Sequence, residues 1–150
     1  MPQSLTKLYV HLIFSTKNRK PWMADEIRPR VHAYLATVIR SLDSPYVVVG
    51  GTADHVHILF DMGKMHAPVE FVEQVKRESS KFVKTLGRAY RGCYWQRGYG
   101  MFSVGPTHLK DAETYVRNQE KHHRKKTFQD EFREFLKRYA IEYDERYVWD

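Results

Sequence analysis

The run Asp54-His55-Val56-His57-Ile58-Leu59-Phe60 reads as a strand with two unlike faces. Alternate side chains of an extended strand share a face, so Val56, Ile58 and Phe60 form one apolar surface while His55, His57 and Leu59 form the other. The two imidazoles project to one side about 6.6 Å apart along the chain, where they can converge on one ion. Taken alone, the pair also suits the wetter face of a strand that binds nothing, so a metal site needs further donors.

The rest of the chain supplies a frame for that strand. Leu8, Val10, Leu12 and Phe14 alternate with Tyr9, His11 and Ile13, which predicts a first strand over 8–14. After the basic loop Thr16-Lys17-Asn18-Arg19-Lys20-Pro21, helical spacing of Ile27, Val31, Tyr34, Leu35, Val38 and Leu42 predicts a helix over 24–42, with Pro29 marking or kinking its start. Pro45 to Gly51 and the histidine strand form a hairpin across a Gly-Gly and Ala-Asp turn. A second helix is expected over 68–86, opened by Pro68, with Val69, Val72, Val75, Phe82, Val83 and Leu86 as its stripe. Tyr94 to Val104 predicts one or two short strands broken by glycines. A third helix is expected from Pro106-Thr107, with Thr107 as cap, to about Lys126, and a fourth, capped by Thr127, carries Phe128, Phe132, Phe135, Leu136 and Tyr139. The aromatic C-terminus should pack rather than trail.

This order predicts an α+β fold: a ferredoxin-like split βαβ sandwich, an antiparallel sheet with two helices on one face. Leu8, Val10, Leu12, Val56, Ile58 and Phe60 then face those helices. Tyr9, His11, Ile13, His55, His57 and Leu59 lie on the other side, where exposed Ile13 and Leu59 call for cover by a third helix or a second subunit.

A chain of 150 residues, 42% of them hydrophobic, is expected to be a single domain over 1–150. Its N-terminus lacks the apolar core of a signal peptide, no apolar run reaches the ~20 residues of a membrane span, and the single cysteine, Cys93, precludes an internal disulfide or a cysteine-rich zinc cluster. A cytoplasmic protein without membrane partners is expected. Lys and Arg exceed Asp and Glu by 25 to 18, and ten tyrosines and eight phenylalanines accompany them. Cations attract phosphates and aromatic rings stack on unpaired bases, so the balance leans towards nucleic acid without deciding it.

Further donors lie in Tyr115-Val116-Arg117-Asn118-Gln119, where four residues of helix bring a phenol and a carboxamide to one face. If this helix covers the histidine face, the two motifs meet. Their order, with Leu12 to Arg19, Trp95 to Val104 and His122-His123, resembles the HUH-motif single-tyrosine transposases of the insertion-sequence 200/605 (IS200-like) family. The resemblance implies that a C-terminal catalytic helix lies on or near the open sheet face. It implies Tyr115 as nucleophile, His55, His57 and Gln119 as ligands of Mg²⁺ or Mn²⁺, no nucleotide cofactor, and a homodimer acting on single-stranded DNA hairpins through a 5′-phosphotyrosine.

Arg19, Lys20, Lys76, Arg77, Lys81, His122, His123 and Arg124 are candidate DNA contacts, although basic helix faces are commonly just solvated, and His122 and His123 suit a solvated helix end. Trp95 and Tyr99 could stack on bases or pack at a sheet edge, and His11 shares the histidine face. Two alternatives stand beside the transposase: a silent or domesticated nucleic-acid-binding relative, and a metal-dependent phosphoesterase that uses water, with Tyr115 structural.

Overall fold

The computed structural model describes residues 2–150. Strands β1 (Tyr9–Ser15), β2 (Val47–Gly51), β3 (His55–Asp61) and β4 (Gly100–Ser103) form an antiparallel sheet in the order β2-β3-β1-β4. Helices α1 (Arg28–Ser41) and α2 (Pro68–Lys84) pack together on one face. Their side chains Val31, Leu35, Ile39, Phe71, Val72 and Val75 meet Leu12, Phe14, Val56, Ile58 and Phe60 in the main core. Each fully buried side chain of this kind contributes about 1.5–3 kcal/mol.

The other sheet face is covered by α3 (Leu109–Arg117), α4 (Gln119–His122) and α5 (Phe128–Arg138). Val116 seals Val48 and Leu59, while Phe128, Phe132, Phe135 and Leu136 seal Ile13 and Phe102. Ile13 and Leu59 are thus buried within one chain. Val148 and Trp149 pack on the second of these clusters, so the chain end is docked. Among the described residues no helix is long and apolar enough to cross a membrane.

Two local expectations are corrected and a third is narrowed. The first strand begins at Tyr9, and Leu8 is 54% exposed rather than in the core. Between Tyr94 and Val104 there is one strand, β4, and an isolated bridge from Trp95 to Thr16. The single helix expected from Pro106 to Lys126 is a 3₁₀ turn over Pro106–His108 followed by α3 and α4, which part at Asn118 (φ −99°, ψ 23°). Thr107 caps neither; His108 occupies the position before α3. Thr127 does cap α5, its hydroxyl accepting from the Asp130 amide at 3.1 Å.

Candidate functional site

Two contacts bring the late helices onto the histidines. A Cβ on Gly50 would fall 1.8 Å from the Val116 carbonyl oxygen, so only glycine lets α3 sit this close to β2, beside its neighbour His57 in the ladder. On α5, Glu131 follows Phe128 by three residues and precedes Phe135 by four, which places its carboxylate inside the apolar stripe and against the sheet. It is 1% exposed.

Glu131 is the hub of the cluster. Its Oε1 lies 2.7 Å from His57 Nε2, 3.1 Å from His123 Nε2 and 3.9 Å from His55 Nε2. Its Oε2 accepts a hydrogen bond from the Tyr115 hydroxyl and lies 3.5 Å from His122 Nε2. His57 and His55 are fully buried. Gln119 Oε1 stands 3.2 Å from His55 Nε2, while its amide nitrogen donates to the Tyr115 carbonyl at 3.2 Å. Behind the cluster, His11 Nε2 is 2.7 Å from His57 Nδ1, and Asp54 Oδ1 is 2.7 Å from His55 Nδ1.

Charge follows from these contacts. Burial disfavours a charged Glu131, but His57, His123 and the Tyr115 hydroxyl outweigh it and hold the carboxyl well below its usual range. Burial lowers His57 to about 4 despite Glu131, which keeps it neutral near pH 7, and burial with His57 beside it lowers His11 well below its usual value. His123 is raised because Glu131 overcomes its burial. Burial and then Glu131 raise Tyr115, so its proton is firmly held. Asp54, although burial opposes its charge, is kept ionised by its bonds from His55 and Thr52.

The donor set fits a divalent cation. Ionised Asp54 accepts from His55 Nδ1–H, so the Nε2 of a neutral His55 turns a lone pair towards Gln119 Oε1, itself an acceptor. His123 donates Nδ1–H to the Lys126 carbonyl at 2.7 Å, and its Nε2 is close to Glu131 Oε1 but out of line for a hydrogen bond, leaving that buried nitrogen without a hydrogen-bond partner. A cation, proton or metal, reconciles lone pairs that face one another. Ligand atoms of His55, His57, His123 and Glu131 all lie within 4.8 Å of one another.

The structure therefore brings His55, His57, Gln119 and Tyr115 together, and all four come from the same chain. His122 and His123 are not a solvated helix end; both turn inward to Glu131, and the His123 side chain is 9% exposed. Glu131 is absent from the sequence-based candidates; the one local signal is its place within the Phe128-Phe132-Phe135 stripe, which becomes telling only once α5 is seen against the sheet. Arg124 borders a cavity of about 420 Å³ next to His123.

Lys76, Arg77 and Lys81 sit on α2 across the sheet from the histidines. The Lys76 ammonium donates to the carbonyls of Gln96, Arg97 and Gly98 at 2.8, 3.1 and 2.6 Å, while Arg77 and Lys81 pair loosely with Glu78. Lys20 is exposed, and the Arg19 guanidinium lies over the Trp149 ring. Trp95 is buried against Phe14 and Trp22 and donates to Ser79, and Tyr99 packs on the main core.

A cavity of about 440 Å³ opens at Tyr115 and is lined by His11, His108, Asp111, Arg138 and Tyr139. A further hollow of about 710 Å³ lies between the N-terminal segment and Gly63-Lys64, away from this chemistry. The two smaller cavities border the cluster at Tyr115 and at His123, which makes them the routes of interest.

Comparison with known proteins agrees with this architecture. The family described as "Transposase IS200 like" matches residues 4–119. Among solved structures, a candidate transposase from Deinococcus radiodurans R1 is similar at a TM-score of 0.61 and 23% identity, over 79% of this chain and 98% of that one. A REP-associated tyrosine transposase bound to a REP hairpin is similar at 0.52 and 12% identity, over 77% of this chain and 67% of that one. Both likenesses concern the fold. No curated protein matches the chain. With more than two thirds of its length fitted by the family pattern, on the expected sheet and helices, the chain belongs to the IS200-like transposases.

Proposed function

We propose that this transposase is a metal-dependent enzyme that cuts and rejoins single-stranded DNA through a 5′-phosphotyrosine on Tyr115. The observation that carries the reading is that the Tyr115 hydroxyl and the His57 imidazole bond to opposite oxygens of one buried carboxylate, with His55 and Gln119 alongside. The Tyr115 oxygen would form a bond to phosphorus as the bond to the 3′ oxygen breaks. As the new bond to phosphorus forms, the phenol proton leaves along its hydrogen bond to Glu131 Oε2 and on to solvent, and the departing 3′ oxygen takes a proton from solvent. Attack by a 3′-hydroxyl on the phosphotyrosine reverses these bonds, so rejoining needs no ATP.

His55, His57 and Gln119 would hold Mg²⁺ or Mn²⁺, which when bound polarises the phosphoryl group and orients it. His11 and Asp54 fix the rings through their rear nitrogens, as partners of metal-binding histidines commonly do. DNA would approach through the cavities beside Tyr115 and His123, with Arg124, Arg19 and Lys20 as phosphate contacts. Hairpin DNA as substrate draws support from the REP hairpin bound by the structural neighbour. A homodimer, as the family resemblance implies, would arrange two such sites.

The test is to incubate the protein with labelled single-stranded hairpins and Mg²⁺ or Mn²⁺ and to look for a covalent adduct. Cleavage that persists in Tyr115→Phe would favour the water-based phosphoesterase, and hairpin binding without cleavage under any of these conditions would favour a silent relative.

A further inference from the structure

We propose that Glu131, through Oε1, and His123, through Nε2, join His55 and His57 as ligands of the divalent ion and take the place given above to Gln119, so that the chain beyond Gln119 supplies half of a four-residue set. This rests on the metal-dependent reading above and extends it past the stretch that the family pattern matches, which ends at residue 119. Three observations carry it.

The four donor atoms lie within 4.8 Å of one another before any ion is considered, so that small side-chain shifts would set them around one ion. The His123 Nε2 is buried, faces the cluster and has no hydrogen-bond partner, although its Nδ1 is satisfied by the Lys126 carbonyl. With Nδ1 given to the Lys126 carbonyl, Nε2 is the nitrogen left to face an ion, the arrangement a metal-binding imidazole needs once the ion displaces any proton shared with Glu131. The third observation is that Glu131 splits its two oxygens between tasks: Oε1 faces the three imidazoles and Oε2 faces the Tyr115 hydroxyl. A carboxylate in that position ties the nucleophile to the ion through one rigid group held on α5.

The chemistry of the set differs from three neutral ligands. Three imidazoles and one carboxylate suit Mn²⁺, Co²⁺ or Zn²⁺, whereas Mg²⁺ prefers an octahedron of oxygens and keeps its waters. One full negative charge also offsets half that of the ion, leaving a net positive site for a phosphate.

The experiment titrates the metal-free full-length protein with Co²⁺ and follows its visible d–d absorption, which reports ligand number and type without any DNA. The expected result is one tight equivalent whose affinity falls at least ~10-fold, with altered bands, in both Glu131→Gln and His123→Gln. His57→Gln should lose binding as well. If Glu131→Gln and His123→Gln bind Co²⁺ with unchanged affinity and spectrum while His57→Gln fails, this proposal is overturned and the paired-histidine site survives. If His57→Gln also binds as the parent does, the metal-dependent reading itself falls. Circular dichroism checks each variant's fold; should Glu131→Gln not fold, His123→Gln and Glu131→Asp, which keeps the charge but withdraws it by one methylene, decide the question by the same criteria.

Discussion

Replacing Tyr115 with phenylalanine should destabilise the metal-free protein, which is unusual for the loss of a hydroxyl proposed to act as nucleophile. A nucleophile that points into solvent has no folded-state partner to lose. Here the hydroxyl donates to Glu131, a carboxylate 1% exposed and held ionised, so its removal leaves a buried charge with one bond fewer. The ring itself is retained, and its edge contacts with His57 (5.7 Å), Phe135 (5.8 Å) and His122 (5.0 Å) between centroids remain available to phenylalanine.

The loss is therefore that of one hydrogen bond to a charged group, about 1.5–3 kcal/mol. His122 Nε2, 3.5 Å from the abandoned oxygen, can move closer and bias the result to the lower end. For a domain of this length each kcal/mol shifts Tm by about 2–4 °C, so calorimetry in the presence of a chelator should show a fall of about 3–12 °C. Tyr46→Phe is the control: its hydroxyl donates at 2.9 Å to Glu113 on the surface, where the loss should stay under about 1 kcal/mol. A Tyr115→Phe protein that melts within about 1 °C of the parent would refute the bond between the Tyr115 hydroxyl and the buried carboxylate, and with it the geometry argued for the site.

Other consequences are testable in the same way. Gly50→Ala should push α3 off β2, because the added carbon overlaps the Val116 carbonyl; a loss of at least about 2 kcal/mol in urea unfolding together with loss of DNA cleavage is expected. Lys76→Met should cost about 1.5–3 kcal/mol by freeing the three carbonyls of the Gln96–Gly98 turn, yet leave hairpin affinity within about twofold, as measured by fluorescence anisotropy.

Stability should fall on acidification. His57 binds its proton near pH 4 when folded and near 6.5 when unfolded, so its contribution is complete above about 6.5 and is lost as pH drops towards 4, amounting to about 3 kcal/mol. His11 acts in the same direction; Glu131, also lowered, adds to the loss below the ordinary carboxylate range, and His123, raised by Glu131, opposes them. The urea midpoint in metal-free buffer should accordingly be lower at about pH 5 than at about pH 7.5, and an unchanged or higher midpoint would contradict the neutral, buried His57.

Much of this arrangement is written locally in the chain. The strict alternation of Val56, Ile58 and Phe60 with His55, His57 and Leu59 assigns both sheet faces, because strand periodicity is a property of the backbone alone. The exposed cost of Ile13 and Leu59 likewise calls for the cover that α3 and α5 provide. The break at Asn118 is not legible, since neither glycine nor proline marks it and the apolar spacing of Leu109, Ala112 and Val116 simply runs out. That Glu131 and His123 meet the histidine strand eludes a local reading for another reason. A glutamate within an amphipathic helix looks solvated until one knows that α5 lies against the histidines, and that docking depends on contacts such as those of Phe132 and Phe135 with the sheet. The surroundings of Lys76 are illegible on the same ground, because only the tertiary fold brings three carbonyls to its ammonium.

The most direct measurement is to digest the protein after reaction with hairpin DNA and Mn²⁺ and to locate the added nucleotide by mass spectrometry. A phosphodiester-linked nucleotide on the peptide containing Tyr115, and its disappearance in Tyr115→Phe, is the predicted outcome. A nucleotide on any other residue, or DNA cleavage by the parent protein with no nucleotide attached at all, would contradict it.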